Sequence, residues 1–294
     1  MQLIEKAPAK INLGLDTPYH HQDGAEEWNM VMTSVDLADY VEIQTLTKHK
    51  RIRVASDSGF LPNDQRNLAF QAAHLLQTNY GIDEGVNIRI KKNIPVAAGL
   101  GGGSSDAAAV LRGLNQLWSL GLSWQELAEL GLQIDSDVPY CVYGRTAHVR
   151  GRGERITPLS KLPAAWVVLA KPKVSVSTPS ILQQIQYDHL EHPDIDGLLR
   201  AIREQDIQGM CAVMGNALEP LTAHRYPEIT QIKQQMMKFG ADAAQMSGTG
   251  PTVFGLCSKQ SRAQRVFNGM KGFCREVYLV RPLRLRGELT NDGR

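Results

Sequence analysis

An α+β fold in two domains is what this chain of 294 residues predicts. Three observations lead there. The length suffices for two separate cores. In the first half, strand-like and helix-like runs alternate around a glycine-rich loop, Gly99-Leu100-Gly101-Gly102-Gly103. From Trp166 the pattern restarts as strand, helices, strand, strand, helix, strand, which suits a sheet with helices packed on one face. The expected units are residues 1–158 and 159–284, followed by a disordered tail at 285–294.

Composition narrows the class. Lys and Arg number 32 against 30 Asp and Glu, a net charge of +2, which provides no field for nucleic acid or a membrane surface. No apolar run is long enough to span a bilayer, and Met1-Gln2-Leu3-Ile4-Glu5-Lys6 is not a signal peptide. Cys141, Cys211, Cys257 and Cys274 are far apart, with no C-x-x-C and no zinc spacing, so reduced, buried thiols are expected. These features predict a cytoplasmic protein; a small-molecule substrate and a monomer or homodimer are also expected, without resting on composition.

The elements follow in order. Leu3 to Lys6 reads as a strand, interrupted at Pro8. Beyond it Ile11, Leu13 and Leu15 alternate with Lys10, Asn12 and Gly14, so Lys10 and Asn12 share one strand face. Pro18 to Asn29 is polar and turn-rich; its adjacent histidines, His20 and His21, read as exposed loop residues. Met30–Val35 and Tyr40–Leu46 read as strands, and Lys48-His49-Lys50-Arg51 as a surface hairpin tip. Asn67 to Leu76 has helical spacing, with a cap among Asp64 to Asn67. Val86-Asn87-Ile88-Arg89-Ile90 alternates as a strand. Ala107 to Trp118 is helical, with Ser104, Ser105 and Asp106 where a cap and first turn belong. Ser123 and Glu126 spell a capping box. Ile134 to Val142 passes from a turn into a strand or short apolar helix, and its Asp135 and Asp137 read equally well as turn residues or as site carboxylates. Later helices are expected near Ser180, over 194–204, 207–218, 227–239 and 261–270, and a last strand over 276–280.

The glycine loop organises the rest. A loop without side chains lets a ligand approach its backbone N–H groups, and the following helix adds its positive end. The natural ligand is a nucleotide's phosphate chain. The P-loop pattern fails, because no Gly-Lys follows Gly103, and the dinucleotide pattern fits poorly.

Three segments together resemble one family. Pro8-Ala9-Lys10-Ile11-Asn12-Leu13, the run from Pro95 through Ala108, and Ser247-Gly248-Thr249-Gly250-Pro251-Thr252-Val253-Phe254-Gly255 are similar, in order, to the three motifs of the GHMP small-molecule kinases. Arg66-Asn67-Leu68-Ala69 and Ser136-Asp137-Val138-Pro139 narrow the resemblance to the branch that phosphorylates the 2-hydroxyl of 4-diphosphocytidyl-2-C-methyl-D-erythritol in the non-mevalonate isoprenoid route. The resemblance implies an ATP-binding N-terminal domain, a ferredoxin-like C-terminal domain and an active site in the cleft between them. It implies Asp137 as the catalytic carboxylate, with Lys10 as its charged partner. ATP would lie against Asn67, Leu68, Lys92, Pro95, Ala97, Ala98, Gly99, Leu100, Gly101, Gly102, Gly103, Ser104 and Ser105. Ser105 would be the ligand of Mg²⁺, with Ser104 as its alternative. Asn12, Asp137, Thr178, Gly248 and Thr249 would face the acceptor.

The departures from the family gather at one end of the site. After Asp23-Gly24 the family has a tyrosine and a histidine that clasp the cytosine; here stand Ala25 and Glu26. Leu182 replaces an expected aromatic residue, and Asp135 an expected glycine. Two other readings follow: a kinase of the same fold for a small alcohol without cytosine, and a non-catalytic sensor on this scaffold. A cytosine stacked on Trp28 or Tyr19 would restore the first reading.

Overall fold

The structure is a computed structural model, described here for residues 1–46, 50–59 and 61–283. The expected tail at 285–294 and half of the basic hairpin tip fall outside these residues.

Two long antiparallel strands, β1 (Gln2–Asp16) and β2 (Trp28–Leu46), form the spine of the first sheet. Pro8 does not end β1. It sits where the ladder slips between Pro8 and Lys10, and a second slip falls between Asn12 and Gly14. A residue without N–H is tolerated where pairing is already broken. The two slips bracket Lys10 and Asn12 and re-aim that stretch of strand.

The chain continues through β3 (Ile52–Ser56), α1 (Leu68–Tyr80), β4 (Gly85–Lys91), α2 (Gly102–Leu117), α3 (Trp124–Leu132), α4 (Val138–Tyr143), β5 (Ala147–Gly151) and β6 (Arg155–Pro158). The second half holds β7 (Trp166–Lys171), α5 (Thr178–Leu182), a 3-10 turn at Tyr187–His189, α6 (Ile195–Arg203), α7 (Ile207–Val213), β8 (Gly215–Asn216), α8 (Glu219–Arg225), α9 (Glu228–Phe239), β9 (Ala243–Met246), β10 (Val253–Cys257), α10 (Gln260–Met270) and β11 (Glu276–Val280). The capping box at Ser123 and Glu126 forms in both directions. The run leading to Val142, expected as a strand or a short apolar helix, forms helix α4, with Cys141 inside it.

Among the described residues the first sheet runs β3-β4-β2-β1-β8, with β5 and β6 continuing from β2. β8 joins β1 in parallel through Gly14 and Leu15. The helix expected over 207–218 therefore stops at Val213, because Gly215 and Asn216 are drawn into that sheet. The second sheet, β11-β7-β10-β9, is antiparallel throughout and has the ferredoxin-like strand order.

One core lies between the first sheet and α1–α4, where Ala107, Ala108, Leu111 and Leu114 of α2 meet Ile43, Ile88 and Leu76. Another lies under the second sheet, against α9 and α10. A third joins the two sheets: Ile11, Leu13 and Val31 pack with Leu100, Leu169, Phe254 and Leu256. Each such side chain contributes about 1.5–3 kcal/mol when fully buried, so this junction is a core and not a loose contact. Beyond β11 the chain crosses back to β2, where Asp36 donates its N–H to the Arg281 carbonyl at 2.9 Å and Leu283 donates to Ser34 at 2.8 Å.

Candidate active site

The glycine loop is built to leave a helix end open. Asp39, fully buried on β2, accepts the N–H groups of Asn93 at 2.5 Å and Ile94 at 2.8 Å and so fixes the exit from β4. Ala97, Gly99 and Gly101 then take left-handed backbone conformations. α2 begins at Gly102 with Gly101 at its cap position, and no side chain caps it. Ser104, Ser105 and Asp106, expected as cap and first turn, are already inside the helix. The unpaired N–H groups of this first turn face outward with the positive end of the helix, which is an anion site.

The loop is fixed from two directions. Lys10 N–H donates to the Leu100 carbonyl at 2.9 Å. From the C-terminal sheet, the Ser247 hydroxyl donates to the Gly99 carbonyl at 2.9 Å, and Thr252 N–H to the Ala98 carbonyl at 3.4 Å.

Beside this loop the Lys10 ammonium lies 3.2 Å from Asp137 Oδ2 and donates to Asn12 Oδ1 at 2.8 Å. The Lys10 side chain is 5% exposed and that of Asp137 26%, so the pair is largely dry but the carboxylate is reachable. Asp137 occupies the cap position of α4 and makes no side-chain capping bond, which leaves its carboxylate to Lys10. Its N–H donates to Asp135 Oδ1 at 3.0 Å, which also accepts the Ser104 hydroxyl at 2.8 Å. Burial and the neighbouring Asp137 charge push the Asp135 carboxyl up. Asp135 does not adopt a left-handed conformation, so the glycine usual there is not needed for backbone reasons.

The third motif closes over the pair. A Cβ on Gly248 would lie 3.3 Å from Lys10 Nζ and 3.6 Å from Asn12 Oδ1. The hydroxyls of Thr178 and Thr249 are 2.8 Å apart. Lys10, Asp137, Thr178, Gly248 and Thr249 are thus gathered in one cleft with the phosphate loop.

Four expected positions are placed differently. Ser105 is fully buried and its hydroxyl donates to the Pro8 carbonyl at 2.8 Å, so it faces the interior and not a metal in the cleft. The Lys92 ammonium is held by Asp39 and, at 2.8 Å, by Asp106, which makes it a strut beneath α2 and not a free contact for adenosine. Both carboxylates hold its pKa above the ordinary lysine value against the opposing effect of burial. Asn67 caps α1, accepting Ala69 N–H at 2.9 Å and donating to the Pro62 carbonyl at 2.8 Å. Asn12 is fully buried and orients Lys10 from behind, its amide donating to Met30 Sδ at 3.3 Å. Leu68 does reach the loop: its Cδ1 lies 3.5 Å from a Cβ built on Gly103.

Other residues of the site carried no sequence signal. Arg112 donates to Glu5, to the carbonyls of Lys6 and Cys141 and, at 3.4 Å, to that of Val142, which anchors α4 behind Asp137. The Asn216 amide holds the carbonyls of Met246 at 2.9 Å and Gly248 at 2.8 Å, and Gln245 reaches the Asn12 carbonyl at 3.1 Å. An open groove of about 770 Å³ among Lys171, Lys271, Phe273 and Arg275 shares no residue with this cleft. No cluster of three or more His, Cys, Asp or Glu side chains could hold a metal among the described residues, and no helix there is long and apolar enough to cross a membrane.

Residues 67–145 match the model of the GHMP kinases N terminal domain, and residues 198–276 that of the GHMP kinases C terminal. Fold and cleft thus define a kinase of the GHMP class. A 4-diphosphocytidyl-2-C-methyl-D-erythritol kinase from Lactiplantibacillus plantarum is 67% identical over 97% of this chain and 99% of its own length. One from Geobacillus thermodenitrificans is 57% identical over 98% and 100%. A crystal structure of 4-(cytidine 5'-diphospho)-2C-methyl-D-erythritol kinase superposes with a TM-score of 0.78 at 30% identity, covering 97% of this chain and all of that one. The chain belongs to the 4-diphosphocytidyl-2-C-methyl-D-erythritol kinase family. A homoserine kinase, 22% identical with a TM-score of 0.76 over 96% of this chain and 95% of its own, shares the fold.

Proposed function

We propose that this chain transfers the γ-phosphate of ATP to the 2-hydroxyl of 4-diphosphocytidyl-2-C-methyl-D-erythritol, supplying isoprenoid precursors by the non-mevalonate route. The observation that carries the reading is the Lys10–Asp137 pair, 3.2 Å apart, beside the uncapped start of α2. An alcohol needs help to lose its proton as it attacks phosphorus. Asp137 accepts that proton, and Lys10, 3.2 Å from it, offers positive charge to the group in transfer. The amides of the glycine loop and α2 hold the phosphates, so the remaining catalysis is positioning and charge stabilisation. Thr178, Gly248 and Thr249 bound the acceptor side.

The donor set fits Mg²⁺. Asp135, whose Oδ1 accepts the Ser104 hydroxyl at the start of α2, is the hard oxygen donor at the rim of the phosphate loop, and Mg²⁺ takes one or two carboxylates together with phosphate oxygens. When bound, it would neutralise charge on the phosphates. We place the protein in the cytoplasm as a monomer or homodimer without nucleic acid, and divide it into units at about residue 158.

ADP release measured with and without the acceptor tests the reading. Acceptor-dependent turnover is expected, falling about 10²–10⁴-fold in Asp137→Ala. ATP binding without acceptor-dependent turnover overturns it and favours a kinase for another alcohol.

A further inference from the structure

Three residues behind the cleft hold its roof by the backbone. Asn216, Glu219 and Thr222 follow one another at three-residue intervals where β8 runs into α8. Glu219 and Thr222 lie one turn apart on α8 and share a face. Asn216 joins them through a tight turn, its Oδ1 accepting Leu218 N–H at 2.9 Å. All three side chains bond the backbone where β9 turns towards β10. The Asn216 amide donates to the carbonyls of Met246 at 2.9 Å and Gly248 at 2.8 Å. Glu219 Oε2 accepts Met246 N–H at 2.8 Å, while its other oxygen is held by Lys233. The Thr222 hydroxyl is 3.3 Å from the Thr249 carbonyl oxygen and equally far from that of Leu218, which share its one proton. Donor side chains thus meet carbonyls, and the one acceptor meets an N–H. Asn216 and Thr222 are buried, so a bond lost here is not replaced by water.

This clamp decides which edge of the turn meets the cleft. The C=O and N–H of a trans peptide point in opposite directions. The Gly248 carbonyl is turned to Asn216, so the N–H of the same peptide, that of Thr249, points away from it. The Ser247 carbonyl accepts Gly250 N–H at 3.0 Å inside the turn, which leaves Gly248 N–H on the opposite side of that peptide. Neither N–H donates to a backbone carbonyl among the described residues. The two flank the Cα of Gly248, and a Cβ there would lie 3.3 Å from Lys10 Nζ. Gly248 has φ of +60°, a left-handed conformation in which successive N–H groups converge on an anion.

We propose that Asn216, Glu219 and Thr222 are positioning residues for the phosphoryl transfer: by drawing the carbonyls of the turn away from the cleft they present its amides, beside Lys10, to the oxygens of the group in transfer. The assignment rests on the proposed kinase reaction. Amide N–H groups carry positive partial charge where that group gathers negative charge, and carbonyls turned the same way would repel it. The three side chains act only through the turn.

Asn216→Asp keeps the size and the acceptor for Leu218 N–H but sets an oxygen against two carbonyls. Thr222→Val keeps the shape and removes the hydroxyl; Thr222→Ser returns it. Steady-state kinetics, calorimetric titration of ADP and hydrogen exchange of residues 246–250 and 98–103 are measured on all four proteins. Asn216→Asp is expected to lower kcat about 10–100-fold, as a shift of order 1 Å would. Its ADP affinity should stay within about threefold of the parent, because Lys10 N–H and Asp39 still fix the glycine loop. Thr222→Val should lose about threefold to tenfold in kcat, and Thr222→Ser should recover to within about twofold. A merely structural role would weaken ADP binding in step with kcat. That parallel loss, or kcat within about twofold of the parent in both Asn216→Asp and Thr222→Val, overturns the proposal. If Asn216→Asp does not fold, the Thr222 pair decides by the same criteria. A parent that does not turn over the acceptor defeats the proposed acceptor, and the clamp is then read by exchange in Thr222→Val and Asn216→Asp. Acceleration of about tenfold confined to 246–250 supports it, and unchanged exchange there or equal acceleration at 98–103 overturns it.

Discussion

Alanine at position 99 asks whether the glycine loop is shaped for phosphate alone or also for the sheet across the cleft. Gly99 has φ of +72°, and a Cβ there would lie 2.3 Å from the Ser247 carbonyl oxygen and 2.9 Å from that of Gly250. Left-handed backbone costs an alanine about 1–2 kcal/mol. Ordinary contact begins near 3.4 Å, so loop and neighbour must part by 3.4 − 2.3, roughly 1.1 Å, and both obstacles are backbone. That movement breaks the part-buried Ser247–Gly99 bond, worth up to about 1–3 kcal/mol when a partner is left unsatisfied. Gly99→Ala should therefore lose about 2–5 kcal/mol in urea unfolding, a melting shift of order 10 °C, and raise the KM for ATP. Gly103→Ala is the control. Its Cβ would meet only Leu68 Cδ1 at 3.5 Å, and it lies within α2, so stability should hold or rise by up to about 1 kcal/mol. A Gly99→Ala protein within about 1 kcal/mol of the parent, with unchanged KM, would refute the reasoning.

Ala97 has φ of +50°, and no glycine stands there to relieve it; Ala97→Gly should be neutral to about 1 kcal/mol stabilising, the opposite sign from position 99, by the same unfolding assay. Asp106 is nearly fully buried with Oδ1 unpartnered, and burial, opposed by Lys92 and assisted by Asp39, raises its pKa to about 7. The folded chain then holds this proton more tightly than the unfolded one, so the group's contribution to stability declines as pH rises from about 4 to about 7 and is level above that. Asp106→Asn should flatten that slope in melting curves recorded across the interval; an unchanged slope would show that the proton is not held there. Arg112→Lys keeps the charge but loses the fork that holds Glu5 and the carbonyls of Lys6, Cys141 and Val142, and should cost about 2–3 kcal/mol in unfolding, with a fall in kcat as α4 loosens.

What could be read from the sequence was local or carried by a motif. Strand, glycine loop and helix follow from spacing between Val86 and Trp118, and Lys10 and Asp137 from two short motifs, although 127 residues separate them. The strand slips at Pro8 and Asn12 could not be foreseen, because register belongs to the pair β1–β2 and not to β1. Lys92 was expected at the nucleotide because the family resemblance implies it; the two carboxylates that claim it come from β2 and α2. Ser105 has the same chemistry as Ser104, and only the rotation of α2 decides which of them meets Pro8 and which meets Asp135. Arg112 and Asn216 had no pattern to mark them, since each acts on backbone carbonyls that any sequence carries.

The Ser247 hydroxyl spans 148 residues to reach Gly99, and its oxygen receives the Asn12 N–H at 3.4 Å from 235 residues earlier. On the ribosome these partners emerge far apart in time. At roughly 5–20 residues per second, Asn12 waits on the order of 10–50 s for Ser247. Until then Lys10, Asp137 and the glycine loop exist without the clasp that holds them in one geometry. A nascent or truncated chain ending before residue 247 carries Lys10 and Asp137 yet has no finished cleft. The geometry between the Lys10–Asp137 pair and the loop is therefore set only once residue 247 has been made.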